Sequence, residues 1–313
     1  MRASAALLAM ALVVMPVLLE ERVAGAAPPF QGAWYYTCPL DSIMGPVDIA
    51  STAGGDVLVC QRLYRAERFS GTGTCISHWY INSAPSQLHG IDELPGGGAI
   101  VLDYGARKLR TYDAFGSPVA AWGTFGTGVG QIEGPTAVVV DRAGEVLVPD
   151  GPRQRVLVFS SSGTFLREWT PTVGPGQIAV DDSGYVYIAN PTTGQMAMYR
   201  EDGSFLRNIG TPGFAPGQLK NPEGIAVSPD GLIYVSDALL NVISVFTRTG
   251  TFLERFGSPG SGDNQFNGVG RMTFDPLGNL YVVDENNLRI CKFGPGPSPS
   301  TRRSWGQLKV MHR

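Results

Sequence analysis

Five polar side chains of this 313-residue chain have types that could carry out chemistry: Asp48, His89, Gln177, Glu223 and Arg271. A carboxylate and an imidazole can exchange a proton with a bound molecule. Carboxylate and amide oxygens together suit a hard cation such as calcium. A guanidinium can neutralise or orient them. The five are scattered over more than two hundred positions, so only a fold that returns repeatedly to one axis could unite them. Short-range motifs offer nothing in their place. The chain has no G-x-S-x-G elbow, phosphate-cradling loop, calcium-binding helix–loop–helix or H-E-x-x-H. Gly96-Gly97-Gly98 lies between two apolar runs with no helical pattern after it, and reads as a turn. Three histidines in all, His78, His89 and His312, are too few for a His-rich metal cluster. A formal net charge of −3 argues against nucleic acid as a partner, because phosphate binding needs a basic surplus.

The elements that would position these residues recur along the chain. An apolar run ends in Asp or Asn at Asp103, Asp150, Asn190, Asp237 and Asp284, with a weaker member at Gln61. The steps between these anchors are 42, 47, 40, 47 and 47 residues. Nine residues after each Asp or Asn stands an aromatic: Tyr112, Phe159, Tyr199, Phe246 and Phe293. Ten residues further on come Trp122, Trp169, Ile209 and Phe256, and Phe69 is likewise followed by Trp79. The final pair, Phe293 and Trp305, is stretched to twelve by a Pro-rich insertion. Each unit holds four short β-branched and aromatic runs separated by Gly, Asp and Pro turns, the pattern of hairpin-joined strands. Several runs, such as AVVV and LIYV, are apolar almost throughout, so their sheets must be covered on both faces. Gly 41 and Pro 23 fit a turn-rich chain. Six four-stranded antiparallel units stacked face to face around an axis make an all-β, six-bladed β-propeller.

The stretches NPEGIAVSPDGLIYVSDALLNVISVFTRTGTFLERFG and GPTAVVVDRAGEVLVPDGPRQRVLVFSSSGTFLREW resemble NHL repeats, and the Gly-rich, Gln-containing connectors GTGVGQIEGP and GTPGFAPGQLKNP strengthen the likeness. The resemblance runs over residues 46–306. It is weakest in the first unit, where Gln61 replaces the acid. A seven-bladed WD40-type propeller is the alternative, but its G-H…W-D signature is missing. The NHL resemblance implies a binding scaffold for a protein, peptide or glycan. Related six-bladed propellers include calcium-dependent lactonases and a zinc-dependent amidating lyase. They make a metal-dependent hydrolase or lyase, acting at the channel mouth, the alternative function. The lyase would need several histidine ligands that this chain lacks. No cofactor is expected, calcium being the ion that the Asp48, Gln177 and Glu223 oxygens would suit.

The Asp/Asn series, present in every unit, reads as scaffold: each residue can accept backbone N–H bonds in the turn that follows. Aligned at the start of the inner strands, the units place Val47, His89, Thr136, Gly176, Glu223 and Gly270 in one row. Asp48, Gly90, Ala137, Gln177, Gly224 and Arg271 form the next. Both rows vary from unit to unit on an otherwise regular frame, and that irregularity selects the five candidates as channel-mouth ligand residues. His89 and Glu223 fall on opposite blades, whereas Asp48 and Arg271 fall on neighbours and are placed to pair.

The first 26 residues read as a secretory signal peptide: Arg2, an apolar run from Ala3 to Leu19, then Ala24-x-Ala26. An uncleaved membrane anchor is the lesser alternative. The expectation is an exported monomer with no membrane span after cleavage. Residues 27–45 form an N-terminal segment and 307–313 a tail. The segment Gln31–Trp34 resembles the outer-strand ends REW and AAW, so two segments compete for the outer strand of the sixth blade. RRSWG around Trp305 is slightly favoured, with the N-terminal strand beside it. In an exported protein four cysteines suggest two disulfides. Their places in the units point to Cys38–Cys60 and Cys75–Cys291.

Overall fold

The computed structural model describes residues 27–35, 45–81 and 87–294. Their strands form six four-stranded antiparallel sheets. Blade 1 comprises Pro46–Ser51, Val57–Gln61, Arg65–Phe69 and Cys75–Tyr80. Blade 2 comprises Leu88–Glu93, Ala99–Asp103, Lys108–Tyr112 and Pro118–Trp122. Blade 3 has a short inner strand, Val139–Val140, then Val146–Asp150, Arg155–Phe159 and Phe165–Trp169. Blade 4 runs Gln177–Val180, Tyr185–Asn190, Gln195–Arg200 and Phe205–Asn208. Blade 5 runs Pro222–Val227, Ile233–Asp237, Val242–Phe246 and Phe252–Phe256. Blade 6 takes Val269–Phe274, Leu280–Asp284 and Arg289–Phe293, and its fourth strand is Phe30–Tyr35 from the other end of the chain. No helix among the described residues is long and apolar enough to cross a membrane.

The outer strand of blade 6 pairs antiparallel with the third, Ala33 opposite Cys291 and Trp34 opposite Ile290. The slight preference for the Trp305 segment at this edge is thereby corrected, since the edge of Arg289–Phe293 is already taken; Trp305 itself lies outside the described residues. Closure is also hydrogen-bonded at the axis. Ser51 of blade 1 donates its backbone N–H to Thr273 Oγ1 of blade 6 at 3.1 Å and its hydroxyl to the Phe274 carbonyl.

The all-apolar second strands follow from packing on both faces. In blade 2, Ala99 and Val101 pack toward blade 1 among Leu58, Cys60 and Ala66, whereas Ile100 and Leu102 pack toward blade 3 among Val138, Val146 and Val148. With successive side chains on opposite faces, each sheet is a wall shared by two inter-blade cores. Each such side chain taken fully from water contributes about 1.5–3 kcal/mol.

The recurrent aromatics join one blade to the next. Trp79 of blade 1 packs on Tyr112 of blade 2 with ring centres 5.7 Å apart, Trp122 on Phe159 of blade 3 at 5.2 Å, and Trp169 on Tyr199 of blade 4 at 5.1 Å. Phe256 and Phe293 join blades 5 and 6 in the same way at 5.5 Å. The Asp/Asn series is scaffold. Asp150 accepts the N–H of Gly134 at 2.8 Å and of Glu133 at 3.2 Å from the connector entering its own blade, and it pairs with Arg155. Asp103, Asp237 and Asp284 make corresponding bonds to connector or turn N–H groups and are fully buried. Asn190 holds the N–H groups of Thr192 and Thr193.

The expected cysteine pairs do not form, because strand parity separates them. Cys60 and Cys291 are both free and buried. Val59 faces blade 6 and Cys60 faces blade 2; Ile290 faces blade 1 and Cys291 faces blade 5. Cys75, on the blade 1 side of the seam with blade 6, therefore cannot reach Cys291 through its sheet. Cys38 lies outside the described residues.

Candidate functional site

The inner strands run side by side around the axis, so their backbone edges face the channel rather than a partner strand. A few side chains from the preceding blade cap those edges. Asp48 of blade 1 accepts the N–H of Ile91 in blade 2 at 2.9 Å. Asp92 of blade 2 accepts that of Val140 in blade 3 at 2.7 Å.

Four of the five sequence-selected residues meet in one polar layer across the channel. Arg271 of blade 6 extends to the opposite side of the ring and donates Nη2–H to the Thr136 carbonyl of blade 3 at 3.1 Å. Its Nη1 lies 3.9 Å from Asp48 Oδ1, a loose form of the expected pair. Gln177 Nε2 donates to Glu223 Oε2 at 3.3 Å. His89 lies on the entry side of this layer, stacked flat on Tyr104 at 4.4 Å. Burial raises the carboxyls of Asp48 and Glu223 above their ordinary range, while the Arg271 charge draws both down. Burial depresses His89, and the Arg271 and Arg62 guanidiniums depress it further. One guanidinium thus opposes the effect of burial on two carboxyls and adds to it on the imidazole.

These residues do not present a calcium site. The Asp48 oxygens are occupied by the Ile91 N–H and by Arg271, a Glu223 oxygen takes the Gln177 amide, and a guanidinium already stands where a cation would bring its charge. Among the described residues no three His, Cys, Asp or Glu side chains are grouped to hold a metal ion.

Beyond the layer, away from His89, lies a cavity of about 510 Å³. Asp48, Gln177 and Arg271 are among its lining residues, whereas His89, Thr136 and Glu223 are not. Its walls are the last residues of the inner strands, and its mouth lies among the first hairpin turns, where a second cavity of about 460 Å³ adjoins it. The sequence rows marked the opposite mouth; the polar layer they marked is the floor of this cavity.

The mouth is rich in acids of two kinds. Asp141, Asp181 and Asp275 are built into turns. Asp181 accepts the N–H groups of Ser183 and Tyr185, the Tyr187 hydroxyl at 3.0 Å and the Arg248 guanidinium at 3.0 Å. Asp275 holds Leu277, Asn279 and the Tyr281 hydroxyl. Asp92 is different. It lines both cavities, and its oxygens accept only the Val140 and Glu93 N–H groups. Burial pushes its carboxyl up to about 7; the two N–H bonds oppose this, and the negative charges of Asp48 and Glu93 add to it. A carboxyl poised near neutrality can hold or release a proton at working pH. Sequence reasoning passed over Asp92, although a signal was present. The equivalent residues in the other blades are Ala50, Val139, Ala179, Ala226 and Thr273, so an acid there breaks an almost apolar row.

No family model matches the chain. Among solved structures it is similar to a streptogramin B lyase, at 14% identity, over 83% of this chain and 96% of that one, with a TM-score of 0.62. It is similar to a Bacteroides thetaiotaomicron protein of unknown function at 13% identity, over 86% and 74%, with a TM-score of 0.65. The WD40 β-propeller domain of Doa1 matches at 11% identity, over 82% and 80%, with a TM-score of 0.60. Likenesses at such identities establish the propeller fold and leave function to the site.

Proposed function

We propose that this protein is an exported, NHL-type binding propeller, a monomer that takes part of a peptide, protein or glycan ligand into its axial cavity. The observation that carries the reading is the floor. Arg271 reaches across the ring to Thr136, and the cavity lies on the side of it away from His89. A concave pocket with a few fixed polar groups is where a ligand gains most contact. Asp48, Gln177 and Arg271 act as its base, with Glu223 behind Gln177 and His89 on the far side of the layer; Arg271, reaching across to Thr136, sets the depth. Export rests on the Arg2-led apolar run and Ala24-x-Ala26.

The test is thermal unfolding of the protein recovered from an oxidising compartment, against panels of short peptides and oligosaccharides, with Ca²⁺, Zn²⁺ and chelator as parallel arms. A ligand bound only by the native state at a hundred times its Kd adds about 2.7 kcal/mol. A peptide or glycan shift that is lost in Arg271→Leu supports the reading. A shift with Ca²⁺ or Zn²⁺ alone replaces it with a metal-dependent function. A second reading, a lyase or hydrolase, is favoured by one observation, the Asp92 carboxyl near neutrality inside the cavity. Consumption of a panel member that stops in Asp92→Asn would establish it in place of simple binding.

A further inference from the structure

We infer that the axial cavity is selective for an organic ammonium group, carried by a free polyamine or by a lysine side chain; the inference rests on the binding reading above and names its ligand chemistry.

Two independent features of the cavity remain unmatched. Asp92 has no cationic partner among the described residues: its oxygens meet backbone N–H groups only, and its charged neighbours are the acids Asp48 and Glu93. By contrast Asp181 is answered by Arg248 and Asp48 by Arg271, and Asp275 is held by the Asn279 amide and the Tyr281 hydroxyl. At the floor, Gln177 lines the cavity and is 8% exposed; its Oε1 is closed from solvent and has no hydrogen-bond donor. A buried acceptor left without a donor costs about 1–3 kcal/mol, and an unpaired buried carboxylate costs more. Both deficits are for the same kind of partner. Arg248 and Arg271 also line the cavity, but Arg248 is engaged with Asp181 and Arg271 with Asp48 and the Thr136 carbonyl, so Asp92 is left without a positive charge and Gln177 Oε1 without an N–H. An ammonium group supplies that charge to Asp92, and its N–H donors reach the Gln177 oxygen once the side-chain amide turns toward the cavity.

The same inventory argues against an anion or a metal ion. An anion would face Asp92 inside the cavity, where Arg248 and Arg271 are already taken up by Asp181 and Asp48. A metal ion would need several oxygens converging on one point, and the acids here are spread around the mouth. A flexible alkylammonium needs only one carboxylate and one further acceptor, spaced along its length.

The experiment is isothermal titration of the intact protein at pH 8 with spermidine, with the peptide acetyl-Gly-Lys-Gly-amide, and with the same peptide acetylated on Nε. The first two probes separate a free polyamine from a lysine side chain, and the third keeps shape while removing the charge. Asp92→Asn retains an oxygen for the Val140 N–H and removes the charge. Gln177→Met retains the bulk and removes the unmatched oxygen. The expected result is saturable binding of at least one charged probe, loss of binding on Nε-acetylation, and weakening of about tenfold or more in Asp92→Asn. Gln177→Met is expected to weaken the same probe less. Equal binding of the acetylated peptide, or binding unchanged in both variants, would overturn ammonium selectivity while leaving a ligand-binding cavity. No binding of either charged probe would overturn the inference as well, and a hit from the peptide and glycan panels would then show that the cavity still binds.

Discussion

The sharpest structural prediction concerns the glycine that ends each outer hairpin. In four places this glycine lies over the tryptophan of the preceding blade. A Cβ added to Gly73, Gly116, Gly163 or Gly203 would stand 2.4–2.8 Å from Trp34, Trp79, Trp122 or Trp169 respectively. Gly163 is the tightest, at 2.4 Å from Trp122 Cγ and 2.5 Å from Cδ2, with φ +89°. Gly250 occupies the same turn between blades 4 and 5, where no tryptophan is available. Its φ is +86°, and the nearest atom to an added Cβ is the Asn208 carbonyl oxygen at 3.4 Å. The pair therefore separates two costs. Gly163→Ala and Gly250→Ala both force a left-handed backbone on alanine, about 1–2 kcal/mol, partly offset by about 0.4–1 kcal/mol from a stiffer unfolded chain. Only Gly163→Ala also drives a methyl into an indole, an overpacking cost of about 1–3 kcal/mol. The difference, about 2 kcal/mol, corresponds to about 4 °C in the midpoint of a domain this size. Thermal unfolding of both variants by circular dichroism measures it. In the double variant with Trp122→Ala the extra penalty of Gly163→Ala should vanish, a coupling expected of residues in contact. Equal midpoints for the two glycine variants, or strict additivity with Trp122→Ala, would refute the inter-blade lock.

Two further predictions concern titration and sulfur. The Asp92 carboxyl moves from an ordinary 3.8 to about 7 on folding, so the native state holds the extra proton between those values. Its contribution to stability is complete below about pH 4 and is lost as pH rises through 7; raised Asp48, Asp141 and Glu223 act in the same direction. Asp92→Asn should flatten the fall of the unfolding midpoint between pH 4 and 7, and an unchanged slope in that variant would refute the assignment. Cys60 and Cys291 should resist alkylation until the ring unfolds, since both are buried and burial raises both thiols, Cys291 to about 12. A non-reducing peptide map should then join the remaining pair, Cys38 to Cys75; a crosslink involving Cys60 or Cys291 would contradict the strand parity.

The repeat was legible because one physical demand recurs six times. Each blade needs a second strand buried on both faces, a polar hinge such as Asp150, and an aromatic such as Phe159 for its neighbour. Spacing alone exposes such a demand. What spacing does not carry is the partner across a face. Phe69 and Trp79 look like a pair because they are ten residues apart, yet Trp79 packs on Tyr112 of the next blade while Phe69 belongs to the core shared with blade 6. Likewise the sulfur of Cys60 and that of Cys75 are assigned to different inter-blade cores by parity, which a count of cysteines does not reveal. The seam was ambiguous for a similar reason: Trp34 and Trp305 carry the same outer-strand pattern, and only the paired edge of Arg289–Phe293 distinguishes them.

The candidate site shows where such reading succeeds and where it stops. Irregularity against a regular frame singled out Asp48, Gln177, Glu223 and Arg271, and the structure sets Asp48 beside Arg271 and Gln177 beside Glu223. The same logic applied three residues further along would have found Asp92 among Ala50, Val139, Ala179 and Ala226. The role of the row, however, depends on length. Arg271 is the residue there whose side chain crosses the ring, reaching the Thr136 carbonyl on the opposite blade. The cavity lies on the Asp92 side of that reach and not on the His89 side. Asp92, among the described residues, has backbone N–H partners and no cation. The scaffold satisfies Asp150 and Asp284 completely with arginine and backbone N–H, so an acid left unanswered inside the same fold is the place where a ligand's charge would count most.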